Sequence, residues 1–165
     1  MTDDFPGKYL ARGASGRKAN KKFLTSLKRL PEREVDHLFH EAHAEIFAQT
    51  DCLACANCCK TTSPIFTNRD IERLAKHFKV RPADFVDRYL RTDEDADYVL
   101  KQSPCTFLNA DNTCSVYEER PQACREYPHT DRRKMVAILD LTYRNTLVCP
   151  AVERIVDKIR TVLHA

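Results

Sequence analysis

The segment Cys52-Leu53-Ala54-Cys55-Ala56-Asn57-Cys58-Cys59 carries the strongest signal in this chain. It places four thiols within eight residues, in a C-x2-C-x2-C-C pattern. A C-x2-C spacing lets two thiolates reach one metal ion from a single tight turn. Cysteines that serve only as small apolar core residues are not expected to cluster in this way. The segment therefore predicts a fold built around a metal centre that cysteines hold.

Four further cysteines follow the cluster, which gives eight in all. The candidate metal ligands are Cys52, Cys55, Cys58, Cys59, Cys105, Cys114, Cys124 and Cys149. Eight thiolates are enough for two four-cysteine sites. The neighbours Cys58 and Cys59 are expected to point in different directions, so that they do not bind one metal together. This expectation favours a second metal or a polynuclear centre over one isolated zinc ion.

The serial cysteines also indicate which metal is bound. Bacterial ferredoxins use the same C-x2-C-x2-C run, with a proline directly after the fourth cysteine of the motif. Here the Cys149-Pro150 pair supplies such an element, but it lies far from the run. We expect an iron–sulfur cluster as the first choice and zinc as the second, because both are coordinated by thiolates.

Composition restricts the class of protein and its compartment. The length of 165 residues suits one domain, and the three glycines disfavour a turn-rich all-β design and favour helices. The first residues lack an apolar signal segment, and no apolar run is long enough to span a bilayer. We therefore expect a cytoplasmic protein without a membrane partner. In that reducing environment cysteines serve as metal ligands or catalytic thiols more often than as disulfides.

The hydrophobic pattern predicts a mostly α fold: a small single domain with a minor β-hairpin, organised around the metal centre. Apolar residues recur at helical spacing over residues 23–30, 35–46, 71–78, 83–90 and 152–163. A Thr67/Asn68 cap and Pro82 predict the starts of the third and fourth of these helices. Residues 98–101, 105–108 and 113–117 are predicted as short strands, and the last two form the hairpin that carries Cys105 and Cys114. Residues 135–147 are compatible with either a helix or a strand.

The N-terminal part of the chain is basic. Residues 1–30 carry eight Lys and Arg against two Asp. We expect a flexible N-terminal arm over residues 1–20 and a cysteine-cluster domain over residues 21–165. Such an arm is suited to nucleic acid or to an acidic partner, but a solvated tail explains the charge more simply, since no aromatic stacking pattern accompanies it.

Other polar residues were weighed as site residues. His37, His40 and His43 recur every three residues, whereas zinc-binding helices prefer histidines four apart, so we expect them to face solvent. Arg120 and Arg125 flank Cys124. They either tune the metal from outside its ligand shell or form salt bridges with neighbouring glutamates, and the sequence leaves both open.

Several motifs between the cluster and the C-terminus belong together. They are Cys52-x2-Cys55-x2-Cys58-Cys59, Cys105-Thr106-Phe107-Leu108, Cys114-Ser115-Val116-Tyr117-Glu118, Arg120-Pro121-Gln122-Ala123-Cys124-Arg125-Glu126-Tyr127-Pro128 and Cys149-Pro150. This combination closely resembles the YkgJ-like cysteine-cluster family, whose members are described as zinc- or iron-chelating. The resemblance implies metal binding through these cysteines and no defined reaction. His129 stands where members often carry an aromatic residue, which makes it a candidate for an extra ligand.

Three functional classes follow, and the first is a metal-binding protein for storage, sensing or delivery. The second is a protein-modifying enzyme, because a flagellin lysine N-methylase shares the cysteine pattern; it predicts an open pocket lined by Arg120, Arg125 and Tyr127. However, the three glycines all precede residue 20, so a glycine-rich methyl-donor loop is missing. The third is an interaction module with structural zinc, linked to nucleic acid through the arm. No residue is assigned a catalytic role.

Overall fold

Ten α-helices and one two-stranded sheet make up residues 5–164, which are the residues described by the computed structural model. The helices are α1 (Phe5–Ser15), α2 (Arg17–Leu27), α3 (Glu32–Phe47), α4 (Cys52–Cys55), α5 (Asn57–Thr61), α6 (Asn68–His77), α7 (Pro82–Tyr89), α8 (Gln122–Glu126), α9 (Leu139–Asn145) and α10 (Pro150–His164). The strands β1 (Leu90–Thr92) and β2 (Tyr98–Leu100) pair antiparallel. The predicted fold class, mostly helical with a minor hairpin, is confirmed.

The chain divides into two units, each with its own apolar core. Unit 1 comprises residues 5–52 and 128–164, and unit 2 is Leu53–Tyr127. None of the helices within residues 5–164 is long and apolar enough to cross a membrane.

Unit 1 is a helical assembly whose core lies between α2, α3, α9 and α10. The predicted apolar stripes are buried, and they comprise Val35, Phe39, Ala42 and Ile46 on α3 and Val152, Ile155, Val156 and Ile159 on α10. The predicted stripe on α10 also included Val162 and Leu163, but these are 53% and 36% exposed. The buried part of the stripe therefore ends at Ile159. The ambiguous residues 135–147 form a 3-10 turn, Met135–Ile138, followed by α9.

The predicted N-terminal arm contains ordered secondary structure. Phe5–Ser15 forms α1, which packs against α10, and Arg12 pairs with Asp157 of that helix. Gly13 is buried, and a Cβ atom added to it would overlap the carbonyl oxygen of Thr146. Residues 1–4 of the arm lie outside the described part of the chain. The flexibility of the arm and its affinity for nucleic acid stay predictions.

Unit 2 is built on an aromatic core. Thr67 caps α6 through a reciprocal pair of hydrogen bonds with Asp70, and Pro82 occupies the first turn of α7. Phe85 is fully buried, and it stacks on Phe107 with 6.4 Å between ring centroids. The rest of this core is Phe66, Ile71, Leu74, Ala75, Leu90, Leu100 and Val116. The half-buried Cys105 and Cys114 pack directly against it.

The location of the hairpin differs from the prediction. The strand at 98–100 is present, but its partner is Leu90–Thr92, with Leu90 opposite Leu100. The segments 105–108 and 113–117 form only a single bridge between Leu108 and Cys114. Two features keep these segments from pairing over a longer stretch. The Cys105 N–H is used by the carbonyl of Cys59, and the chain turns into a 3-10 helix, Tyr117–Glu119, directly after Val116.

Candidate metal centre

The C-x2-C-x2-C-C segment is folded as two short helices, α4 and α5. Ala56 separates them in the left-handed conformation, with φ 47°, and its side chain is buried. This residue turns the chain between α4, which carries Cys52 and Cys55, and α5, which carries Cys58 and Cys59. Cys52 is exposed, whereas Cys55, Cys58 and Cys59 are half-buried.

The neighbouring thiols Cys58 and Cys59 are joined by a hydrogen bond. This hydrogen bond, together with burial, raises the pKa of Cys59 far above its ordinary value, and the charge of Lys60 opposes the shift. That the two thiols do not bind one metal together stays a prediction.

Cys105 and Cys114 lie on the two arms of a loop that is attached to α5. The Cys105 N–H donates to the carbonyl of Cys59 at 2.8 Å, and the Ser103 hydroxyl donates to the carbonyl of Lys60 at 3.0 Å. These two bonds bring the sulfur of Cys105 next to that of Cys59.

Backbone amides point at both sulfurs of this loop. The N–H groups of Phe107 and Leu108 donate to Cys105, and that of Val116 donates to Cys114. Burial raises the pKa of both thiols, while these amide bonds lower it. Amide hydrogen bonds to sulfur stabilise the thiolate form, which is the form that a metal binds.

Cys124 lies in the short helix α8 and completes the group. Burial and, to a smaller extent, the charges of Cys59, Cys105 and Cys114 together raise the pKa of Cys124 to about 12. Each possible pair among these four thiols interacts electrostatically. We call Cys59, Cys105, Cys114 and Cys124 the thiol cluster; all four belong to unit 2.

Two arginines beside Cys124 have distinct roles. Arg120 lies over the ring of Tyr117 at 3.8 Å, and its charge lowers the pKa of Cys114 and Cys124. Arg125 instead donates to main-chain carbonyls, at 3.0 Å to Arg120 and 2.8 Å to Glu118. Arg120 therefore supplies positive charge near the thiol cluster, and Arg125 orders the loop that precedes Cys124.

Several of the other sequence-predicted residues belong to unit 1. Cys149 belongs to unit 1, where it precedes α10 and packs against the apolar core. In the same unit, His43 accepts or donates a hydrogen bond with the hydroxyl of Thr130 at 2.8 Å, and His40 contacts the carbonyl of Arg132 at 2.8 Å. His37 lies 3.4 Å from the carboxylate of Glu41, so all three α3 histidines contact their own chain.

Two residues that the sequence did not single out connect α6 to the segment before Cys124. Asp70 is 1% exposed and accepts a hydrogen bond from the Gln122 N–H at 3.1 Å. Arg73 pairs with Asp70 at 2.7 Å and also donates to the carbonyls of Glu119 and Arg120. The Thr67 cap was predicted, but nothing in the sequence indicates that its partner Asp70 also reaches α8.

The thiol cluster fits zinc or iron by the chemistry of its donors. Four sulfur ligands suit either metal, amide bonds support the thiolate form, and Arg120 and Lys60 offset negative charge. Within residues 5–164, no group of three or more His, Cys, Asp or Glu side chains already stands at metal-ligand geometry. Binding requires the four thiols to lose their protons.

Two surface depressions are lined by residues of unit 1. One has a volume of about 210 Å³ and is lined by residues of α1, α3 and α10. The other, of about 450 Å³, is lined by the basic outer face of α2 and by Arg29. Neither depression includes the residues Arg120, Arg125 and Tyr127, which the enzyme alternative required.

The fold and the site define a small helical protein with a cluster of neighbouring thiols. Residues 51–149 match the model of the CxxCxxCC family, described as "Putative zinc- or iron-chelating domain". The chain belongs to this family, as the resemblance predicted. No curated protein and no solved structure gave a match. Family membership supports the chelation of zinc or iron and leaves the choice of metal open.

Proposed function

We propose that this protein binds iron or zinc through the thiol cluster, with Cys59, Cys105, Cys114 and Cys124 as the ligands. The observation that carries the proposal is the backbone contact that joins these segments within unit 2: the Cys105 N–H donates to the carbonyl of Cys59 at 2.8 Å, and Cys114 forms a bridge with Leu108 in the same loop. The mutual effects of the four thiols on their pKa values agree with this arrangement. Four thiols held together repel one another when ionised, and a bound cation removes that repulsion. The family match over residues 51–149 supports the same chemistry.

We favour an iron–sulfur cluster over a zinc ion. Cys55 and Cys58 provide further thiols in the same unit, and a surplus of thiols suits a polynuclear centre better than one tetrahedral ion. A bound cluster supplies one-electron chemistry, whereas a zinc ion supplies structural cross-linking. Either centre needs reduced thiols, which supports the proposal of a cytoplasmic location. No observation on residues 5–164 specifically favours the methyltransferase-like alternative.

The test is anaerobic purification, followed by elemental analysis and a visible absorption spectrum. Iron with acid-labile sulfide and a brown colour would establish the cluster, and stoichiometric zinc in a colourless protein would establish the second candidate. A protein with neither metal, even after reconstitution with each, would refute the proposal.

Single serine variants test the choice of ligands. Cys59→Ser, Cys105→Ser, Cys114→Ser and Cys124→Ser should each reduce the bound metal by more than half, with the far-UV circular dichroism spectrum unchanged. Cys149→Ser is the matched control, because Cys149 packs in the other unit. Equal metal loss in Cys149→Ser and Cys124→Ser would show that the ligand set is not the thiol cluster.

A further inference from the structure

Asp70 and Arg73 lie outside the thiol cluster, but both contact the chain segment that leads into Cys124. We propose that this pair is a positioning device that holds Cys124 in place for metal binding. The inference rests on the proposed function, since it assigns a role to residues that act through one of the proposed ligands.

Asp70 is buried and its carboxylate is fully used. One oxygen accepts from the Thr67 N–H at 3.0 Å and from the Thr67 hydroxyl at 2.7 Å. The other accepts from Arg73 at 2.7 Å and from the Gln122 N–H at 3.1 Å. The first oxygen caps α6, so only the second links that helix to the segment before Cys124.

Arg73 extends the same link with its planar guanidinium group. It donates to the carbonyl of Glu119 at 3.2 Å and to that of Arg120 at 2.9 Å, and it lies 3.5 Å from the Glu119 carboxylate. A guanidinium can donate in several fixed directions at once, which a lysine ammonium on its flexible stem cannot reproduce. Asp70 and Arg73 therefore hold the backbone at three positions before Cys124, which are residues 119, 120 and 122.

The fixed segment determines where α8 begins. This helix has five residues and no side-chain cap of its own, and the Cys124 N–H donates to the carbonyl of Pro121 at 2.9 Å. Cys124 therefore lies in the first turn of a helix whose start is held by contacts from α6. Releasing Gln122 would allow the sulfur of Cys124 to move relative to the other three thiols.

The experiment compares two substitutions that are chemically identical. Asp70→Asn keeps one side-chain oxygen for the α6 cap. It replaces the other oxygen by an NH2 group, which cannot accept the hydrogen bonds of Arg73 and the Gln122 N–H, so the link between α6 and α8 is broken. Asp84→Asn is the matched control, since Asp84 forms an i, i+3 pair with Arg81 at 2.8 Å on the surface of the same unit and both partners are exposed. Affinity for Zn²⁺ is measured by competition with a chromophoric chelator, on samples whose circular dichroism shows a retained fold.

We expect Asp70→Asn to lower the Zn²⁺ affinity by about 10- to 100-fold, as for other residues that orient metal ligands, and Asp84→Asn to leave it unchanged. The Zn²⁺ affinity of Arg73→Lys should lie between the affinities of these two variants, because lysine keeps the positive charge but lacks the planar guanidinium group. Equal affinities for Asp70→Asn and Asp84→Asn would overturn the positioning role.

A second readout does not depend on metal. The alkylation rate of each cysteine by iodoacetamide is followed by mass spectrometry in the metal-free protein. Asp70→Asn should increase the rate at Cys124 several-fold and leave Cys55 unchanged. If the wild type binds no metal, the proposed function fails, and alkylation still decides whether the pair holds Cys124: equal Cys124 rates in Asp70→Asn and Asp84→Asn refute the inference.

Discussion

At the scale of single residues, Cys59 illustrates how a thiol depends on distant parts of the chain. Its nearest influences are local, because Cys58 is hydrogen-bonded to it and Lys60 follows it. The charges of Cys58 and Lys60 also act on it, and so do those of Cys105, Cys114 and Cys124, which lie at least 46 positions away. A sequence pattern groups Cys59 with the cysteines beside it, and only the folded chain adds the three remote thiols.

Glu153 gives a second residue-scale consequence, in unit 1. Its side chain is 2% exposed, and Asn20 donates to it at 2.7 Å. Burial raises the pKa of this carboxyl, and the bond from Asn20 and the charges of Arg12 and Arg160 only partly offset the shift. A carboxyl whose pKa is higher in the folded state stabilises the fold below its unfolded pKa, and that stability is lost as the pH rises through the folded value.

Glu153→Gln should therefore gain stability relative to the wild type as the pH rises. The glutamine cannot ionise, so the difference in the free energy of unfolding between variant and wild type should shift in favour of the variant between about pH 4 and about pH 8. Urea unfolding at several pH values measures this. Glu45→Gln is the control, since Glu45 is 55% exposed and pairs with Lys158 at the surface. A pH-independent difference for Glu153→Gln would contradict the prediction.

At the scale of elements, α1 is the helix that bears on the predicted flexible arm. Its sequence is basic and contains two glycines, which predicted a flexible arm. The absence of a side chain at Gly13 instead allows the helix to approach the carbonyl of Thr146, and Arg12 reaches Asp157. Glycine at this position favours close packing, although it lowers the intrinsic stability of the helix.

Gly13→Ala distinguishes a packed α1 from a detached one by the sign of its effect. In a detached helix, alanine stabilises by about 0.5–1 kcal/mol relative to glycine. In the packed helix, the added methyl overlaps Thr146, and we expect a loss of about 1–3 kcal/mol. Thermal or urea unfolding measures the change, and Ala14→Ser at the exposed neighbouring position is the control. A stabilising Gly13→Ala would support the flexible arm.

At the scale of the whole molecule, the two units are stabilised differently. Of the described residues, fourteen form the buried apolar cluster of unit 1, and this unit contains none of the thiol cluster. Nine form the buried apolar cluster of unit 2, and Cys105 and Cys114 pack against it. Metal binding at structural sites contributes directly to folding, by about 10 kcal/mol or more for zinc. Under the proposed function we expect unit 2 to depend more on a bound metal than unit 1 does.

Removal of the metal should therefore loosen unit 2 selectively. After treatment with a chelator, hydrogen–deuterium exchange should speed up at the amides of α6, α8 and the loop 103–116, while α3 and α10 keep their protection. The metal-loaded protein under the same conditions is the reference. Equal loss of protection in α3 and α10, or no loss in α8, would contradict the assignment of the site to unit 2.

Local signals accounted for five of the helices, α2, α3, α6, α7 and α10, and for little of the pairing between segments. The Thr67 cap and Pro82 predicted the starts of α6 and α7, because capping depends on residues within one turn. The strand at 98–100 was also predicted, but its partner was not. Strand pairing depends on which backbone groups remain available, and the Cys105 N–H is already used by Cys59.

The sequence by itself determined the helical class, the buried stripes of α3 and α10, and the family of residues 51–149, because these depend on periodicity and on motif spacing. Only the tertiary structure decided which thiols are neighbours. Cys59 lies with Cys105, Cys114 and Cys124 because a loop is attached to α5 and because Asp70 and Arg73 hold the start of α8. Contacts of this kind join residues far apart in the chain, and no local pattern encodes them.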